Sequence, residues 1–485
     1  MSAGAIVGAA QVVQRPGDWT DPADARGPIQ LMVDAARAAA EDAAAPGLLA
    51  QVGWIGVAGG WFRYKDPARL VAAEIGAPDA KTALAAISGS APQEMVGLAA
   101  RRIAAGELDV ALIVGGEARW SAQRMQRDGV ELPWSTSAGE GDPEAVSGFD
   151  TEMLAEMAQL GAPAVAYALF EDSLRVAEGT SVADHRQHMA ELWARMSAVA
   201  ADNPWAWDRT AHTADEVATA TPQNRMIAFP YTKAMVANNT VDMASAVILC
   251  SAEKAATLGI SADRLVFPHV VTTSRETWRV AERRDLHGCP ALTAAGQTAL
   301  DHCGIDIDDV AHVDLYACFP AIVQLSAKAL GLSLDRQLTV TGGLGFAAAP
   351  IGNAVGHSIA AMVQVLRGGG YGLVHGNGGN ATKHSFGVYA NVPPASFTMR
   401  DVQDEVDLQP RPVFAADATG PATVAAATVV YDREGPSHVS AAVDLPSGER
   451  GLVSSKDADL IAAVLTDGLT GTSVVLAGDG TALPT

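Results

Sequence analysis

Apolar residues recur along the first 118 positions in two alternating rhythms. Ala5–Val13, Val52–Ala58, Thr82–Ile87 and Leu108–Val114 are short apolar runs of strand length. Gly27–Ala45, Pro67–Ile75 and Ser90–Ala105 carry apolar stripes at helical spacing. Short apolar runs bounded by turn residues predict buried strands, and stripes at i, i+3, i+4 predict helices with one buried face. Strand and helix in alternation predict right-handed crossovers and a mostly parallel sheet. The order returns after residue 266, with strands at Phe267–Thr273, Val310–Tyr316, Leu338–Val340, Tyr371–His375 and Ser385–Tyr389, and helices at Ala291–His302, Pro320–Ala329 and Ala354–Arg367. The architecture is duplicated although the letters of the two halves differ. Two such sheets back to back would bury each other's helices.

Between the halves the pattern breaks. Residues 119–241 hold Trp120, Trp134, Trp193, Trp205 and Trp207, many polar turns, and a helical run at Ser181–Ala200. This reads as an insertion lying over a site, where ligand contacts tend to gather. Met243–Ser251 is the strand that returns to the first sheet. The tail changes again: Val413–Ala416, Ala422–Tyr431, Val439–Val443 and Ser473–Ala477 are short strands between Gly, Pro and Asp turns, with one helix at Lys456–Thr466. A small barrel or sandwich is the simplest reading. The expected domains are 1–118 with 242–265, then 119–241, 266–392 and 393–485.

Composition narrows the partners. A chain of 485 residues, 49% apolar, exceeds one ordinary core. Its formal charge of -22 repels polyanions, so nucleic acid and an anionic membrane surface are not expected partners. The tail has five basic against thirteen acidic residues and only Phe397, Phe414 and Tyr431 as aromatics. A single-strand-binding barrel needs basic grooves and stacking platforms, so packing or docking of a protein partner is the expected role. The N-terminus shows no secretory pattern, and no stretch is long and apolar enough to span a bilayer. Cys250, Cys289, Cys303 and Cys318 have neither metal nor redox-pair spacing, which points to a reduced cytoplasm and no metal.

Candidate chemistry gathers in four segments: Ser88-Gly89-Ser90, Tyr316-Ala317-Cys318-Phe319, Ala348-Ala349-Pro350 and Asn377-Gly378-Gly379. The first leads into a helix ending Ile103-Ala104-Ala105-Gly106 and then the apolar run Asp109–Glu117. In this order the segments resemble the thiolase superfamily: its nucleophile turn, its H-D-C-F or N-E-A-F segment, its G-H-P loop and its C-x-G loop. Asn224-Arg225-Met226, Pro230-Tyr231-Thr232-Lys233 and Thr382–Tyr389 look like signature runs of the actinobacterial thiolase-like proteins type 1, often labelled acetyl-CoA acetyltransferases. The resemblance covers residues 1–392. It implies the five-layered αβαβα thiolase fold, with the tail as an extra domain and CoA or an acyl-CoA as ligand; no cofactor is required.

The chain departs from that pattern at each aligned position: Ser88 replaces the nucleophilic Cys, Tyr316 an Asn or His, Ala349 the His and Asn377 the acid/base Cys. Thiolysis and Claisen condensation need a thiolate to carry the acyl group. Ser88 is far less acidic than a thiol and Ala349 withholds the base it would need. Ser88 also reads as a small turn residue capping the helix that begins near Ser90. Tyr316 can act as acid, base or oxyanion donor, or as a core tyrosine. Some thiolase-fold aldolases use a tyrosine here, but they need a second one after the G-H-P-like loop, where this chain reads Ile351-Gly352-Asn353-Ala354-Val355. Asn377 can donate to a thioester or enolate oxygen. His357 and His375 are alternative bases or satisfied core histidines, and His185 with His188 forms a solvated i, i+3 pair. Cys318 reads as packing. Arg124, Arg127, Arg225 and Lys233 are the candidate phosphate-binding cations of the insertion, or plain surface charges.

Three functions follow: an acyl-thioester-binding protein without ordinary thiolase turnover, an enzyme of altered chemistry (acyl transfer through Ser88 or carbon–carbon cleavage aided by Tyr316), or a scaffold docking a partner through its tail. The sequence fits a monomer or a homodimer.

Overall fold

The strand that follows the insertion, Asp242–Ser251, ties the first sheet together. It runs antiparallel to both Gly4–Val13 and Val110–Ala118. Beyond Val110–Ala118 come Trp54–Val57, Lys81–Ala85 and the short edge strand Glu144–Val146, each parallel to its neighbour. The computed structural model describes residues 3–148, 151–477 and 482–484.

The second sheet has the order Val310–Asp314, Tyr371–Gly378, Lys383–Ala390, Phe267–Arg275, Thr398–Asp401. Both sheets are mostly parallel, as expected, and each carries one reversed strand, Asp242–Ser251 in the first and Lys383–Ala390 in the second. The causes are local. Asp242–Ser251 returns from the insertion and needs no crossover helix. Tyr371–Gly378 and Lys383–Ala390 are joined by the four residues 379–382, which only an antiparallel pair allows.

Two helices lie between the sheets. Ala91–Ala104 and Ala354–Leu366 supply Met95, Val96, Ile103, Ile359, Val363 and Leu366 to one core that also takes Ile113 and Leu249 from the first sheet and Val374 and Tyr389 from the second. Pro28–Asp42 and Pro67–Ile75 cover the outer face of the first sheet, while Pro290–Cys303 and Pro320–Leu330 cover that of the second. The layers are therefore α, β, α, β, α. Close approach sets several glycines: Gly352 has φ +78, and a Cβ there would run into the Gly59 carbonyl. Gly352→Ala is expected to destabilise by about 2 kcal/mol through backbone strain and this collision, read as a lower thermal midpoint.

Leu338–Val340 is not a strand. Buried Asp314 captures its backbone: Oδ2 accepts the N–H groups of Val340 (2.9 Å) and Thr341 (3.1 Å). The preceding strand ends at Asp314, short of Tyr316. In the insertion, helices Pro163–Glu178 and Val182–Asp202 pack over the second sheet's side of the molecule.

The tail forms a curled antiparallel sheet in the order Arg450–Ser455, Pro436–Asp444, Gly420–Tyr431, Ser473–Leu476, Ala482–Pro484, joined by Met226–Ala228 and Tyr231–Thr232 of the insertion. Val413–Ala416 is reduced to a bridge between Phe414 and Arg450. The expected helix is present at Ala458–Thr466. The tail sits firmly on the insertion and on the second half of the chain. Asp172 Oδ2 accepts from Ala427 N at 3.0 Å and from Thr470 Oγ1 at 2.5 Å. Thr428 Oγ1 donates to the Phe229 carbonyl at 2.7 Å, and Arg450 Nη1 donates to the Arg283 carbonyl at 2.6 Å. Among the described residues no helix is long and apolar enough to cross a membrane, and no cluster of His, Cys, Asp or Glu could hold a metal ion.

Candidate active site

Strand Lys81–Ala85 and helix Ala91–Ala104 meet at the Ser88 turn. Ser88 is buried, and its Oγ lies 2.8 Å from the Ser90 hydroxyl. Ser90 Oγ in turn donates to Glu94 Oε1 at 2.6 Å. The turn presses against the opposing loop so tightly that a Cβ on Gly378 would strike Ser88 Oγ, and one on Gly89 would strike the Asn377 carbonyl and the Tyr316 ring. Ser88, Tyr316 and Asn377 therefore converge, each brought by a different element.

Ala349 lies buried in the loop after the turn Gly343–Ala347. That turn is tied to the Tyr316 segment through Leu344 N–H donating to the Ala317 carbonyl at 3.3 Å. A methyl at 349 brings no proton-transfer group.

A residue outside the four segments completes the cluster. Tyr167, on helix Pro163–Glu178, is buried with its ring stacked on Phe319 at 4.4 Å. Its hydroxyl accepts from Asn377 Nδ2 (2.8 Å) and from Ala381 N (2.9 Å), and donates to the Gly379 carbonyl (3.1 Å). Asn377 Nδ2 also points at Cys318 Sγ (3.8 Å), while its Oδ1 is buried without a partner. Burial pushes the Cys318 thiol up to about 12, so the site holds no thiolate at neutral pH. Burial, reinforced by Cys318, also lifts the Tyr316 phenol well above its ordinary value. Tyr316 is thus a hydrogen-bonding acid here and not a ready base.

The histidine candidates stand elsewhere in the fold's chemistry. His375 Nδ1 meets Ser326 Oγ at 3.2 Å and the ring stacks on Phe386; burial, with His384 beside it, holds its pKa well below the usual range. His357 Nδ1 meets Gln11 Oε1 at 2.9 Å, and burial lowers its pKa to about 3. His185 is not solvated as its helical spacing suggested: it is buried, with Nε2 2.6 Å from Glu171 Oε1, while His188 is exposed.

A cleft of about 810 Å³ opens beside the Tyr316 segment. Its floor includes Ala237, Asn238, Gly345 and Phe346, and Ala237 N–H donates to the Cys318 carbonyl at 3.0 Å. Lys233 lines it; Arg124, Arg127 and Arg225 do not. Arg124 lies over Trp19 at 4.8 Å and pairs with Asp128, which Arg127 also faces, and Arg225 donates to the Met226 carbonyl. The cleft's other cation is Arg119, whose guanidinium sits 3.5 Å over the Trp61 ring. Glu117 holds this wall by accepting the Trp61 N–H, and burial pushes its carboxyl up to about 7. Neither Arg119 nor Tyr167 belongs to a recognisable motif; each is found only once the chain is folded.

Residues 401–481 match the family described as the thiolase-like protein type 1 additional C-terminal domain. Among solved structures, a monomeric SCP2-thiolase-like protein type 1 from Mycobacterium smegmatis is similar over 100% of this chain and 99% of that one, at 31% identity and a TM-score of 0.84. An acetyl-CoA acetyltransferase from Syntrophomonas wolfei (17% identity, TM-score 0.57, 81% of this chain and 99% of that one) shares the fold. So does a thiolase from Ascaris suum solved in complex with coenzyme A (13% identity, TM-score 0.57, 80% of this chain and 100% of that one). No protein of curated function matches the sequence. The shared fold, the tail and the full-length likeness place this chain in the thiolase superfamily, among the SCP2-thiolase-like proteins type 1.

Proposed function

We propose that this protein binds an acyl-CoA, or a related acyl thioester, and does not carry out thiolysis. The observation that supports this is the cluster itself. Ser88, Tyr316 and the Asn377 backbone meet around the Gly89 turn, yet these residues and Ala349 offer neither a thiolate nor an imidazole, and the nearby Cys318 is held as a thiol. Thiolysis has no acyl carrier of the required nucleophilicity there. What supports binding is the lining of the adjoining cleft, where Lys233 and Arg119 stand with Trp61 and Trp207, residue types suited to a phosphate and an aromatic base.

Calorimetry with CoA and with acetyl-CoA, run beside a thiolysis assay on acetoacetyl-CoA, tests this. The expected outcome is saturable binding of the thioester with no thiolysis above background. Brisk thiolysis, or no heat with any CoA compound, overturns the reading.

A further inference from the structure

We propose that His212, held by Asp208, is a general base in the cleft beside Tyr316 and promotes hydrolysis of an acyl thioester bound there. This rests on the binding reading above and adds a chemical step to it.

His212 is the one histidine among the described residues that line this cleft, and Asp208 lines it too. His212 Nε2 lies 3.1 Å from Asp208 Oδ2. The two are four residues apart, but no helix spans them. Their pairing is made by the fold of the segment between Val182–Asp202 and Ala214–Ala218, not by helical spacing. That segment is tied down at three points. Trp207 N–H and Asp208 N–H donate to the Ala347 and Phe346 carbonyls, both at 3.0 Å, and His212 N–H donates to the buried Ser197 hydroxyl at 2.8 Å. The imidazole also stacks on the Phe346 ring, with 5.3 Å between centroids. The pair is thus strapped to the turn that leads into Ala349, the position where an imidazole is withheld. Glu216 lines the cleft as well, but its carboxylate is occupied by the Thr213 N–H and hydroxyl.

This arrangement suits a base. Burial works against the Asp208 carboxylate, yet hydrogen bonds from His212 and Thr210 hold its pKa below the usual value, so it is charged. It accepts the Nε2–H of His212, which leaves the ring's lone pair on Nδ1. Nδ1 has no hydrogen-bond partner among the described residues, and the side chain is 29% exposed, enough for water to reach it. His357 and His375, by contrast, are sealed in the core.

The step balances. A water on Nδ1 attacks the thioester carbonyl carbon. The new C–O bond forms, the C–S bond breaks, the water's proton passes to Nδ1, and His212 returns it to the CoA thiolate. The products are a carboxylic acid and CoA, and His212 ends neutral as it began. Asp208 acts through His212 and is a positioning residue.

Release of free CoA from acetyl-CoA and from octanoyl-CoA, followed by chromatography at concentrations where calorimetry shows the ligand bound, tests the step. The parent protein is expected to release CoA in proportion to its concentration. His212→Ala does so about a hundredfold more slowly, while calorimetry still shows the thioester bound. Imidazole added to His212→Ala enters the open cleft and recovers part of the rate, which a misfolded variant would not allow. Asp208→Asn lowers kcat with KM unchanged, and Asp208→Glu recovers part of it. Bound thioester with no CoA release, or equal release by parent and His212→Ala, overturns the step and leaves the binding reading standing. If no CoA compound binds, that reading fails and p-nitrophenyl acetate becomes the probe. Hydrolysis that falls in both His212→Ala and Asp208→Asn then supports the pair as a base, and hydrolysis unchanged in either, or none at all, overturns it.

Discussion

Replacing Tyr167 by Phe is expected to destabilise the protein by about 3 kcal/mol, since several buried polar groups lose their partner at once. The Tyr167 hydroxyl accepts from the Ala381 N–H and Asn377 Nδ2 and donates to the Gly379 carbonyl. Phe keeps the ring's stack on Phe319 and its edge contact with Phe170, so little packing is lost. What remains is polar: an orphaned N–H and C=O in a closed turn and an amide already short of one partner at Oδ1. Each such group costs about 1–3 kcal/mol when it cannot reach water. The turn 379–382 is the link between the strands that carry Asn377 and Lys383. A loosened turn therefore also releases Asn377 from its place near the Ser88 turn, and on the proposed binding function acyl-CoA affinity falls with stability. Urea unfolding and calorimetry on the same variant read both effects. A midpoint within error of the parent would mean that water satisfies these groups as well as Tyr167 does.

The scaffold is legible from sequence where an element is buried on one face or bounded by strong turns. Pro67–Ile75 announces itself with Asp66 accepting the Arg69 N–H at one end and Gly76 at φ +79 at the other. Helix Pro163–Glu178 is hidden for the opposite reason. Ala164 through Phe170 are all buried, so it shows no apolar stripe, and a helix covered on every side cannot be told by period from a run of apolar residues. Tyr167 and Glu171 are lost with it. Leu338–Val340 misleads because its apolar letters fit a strand while Asp314, more than twenty residues upstream, takes its N–H groups. Ser88, Tyr316 and Asn377 are recoverable because each sits in a short run whose order along the chain is informative. The cations are not. Whether an arginine meets a ligand or a tryptophan depends on folding: Arg124 is drawn onto Trp19, which is far away in sequence, whereas Arg119 is brought to the cleft wall on Trp61.

Glu171→Leu is expected to cost more than the loss at Tyr167, about 4 kcal/mol, because a buried charge network loses its acceptor. Glu171 is fully buried. Oε1 takes His185 Nε2 at 2.6 Å and Gln324 Nε2 at 2.5 Å, and Oε2 takes the Tyr231 hydroxyl at 2.7 Å. Leucine fills the volume and leaves His185 Nε2 and Gln324 Nε2 with no acceptor, while the Tyr231 hydroxyl keeps only the Tyr167 carbonyl. The pH dependence separates this from simple repacking. Burial pulls the His185 pKa down, but the hydrogen bond and charge of Glu171 more than reverse it, so the folded value lies above the ordinary one. A raised folded pKa stabilises fully below the unfolded value of about 6.5, and that stabilisation is lost as pH rises through the folded pKa. Without Glu171 burial, which lowers the His185 pKa more than the Glu178 charge raises it, is left in control, and acidification then destabilises. The gap between parent and variant urea midpoints is therefore wider at about pH 6 than at about pH 8.5, both chosen to bracket the histidine range. A gap that does not change with pH would show that His185 carries no extra proton in the folded state. The loss also reaches the candidate site, because the Tyr231 hydroxyl that Glu171 anchors donates to the Tyr167 carbonyl at 3.0 Å. The carboxylate thus holds in place the helix that closes over Asn377.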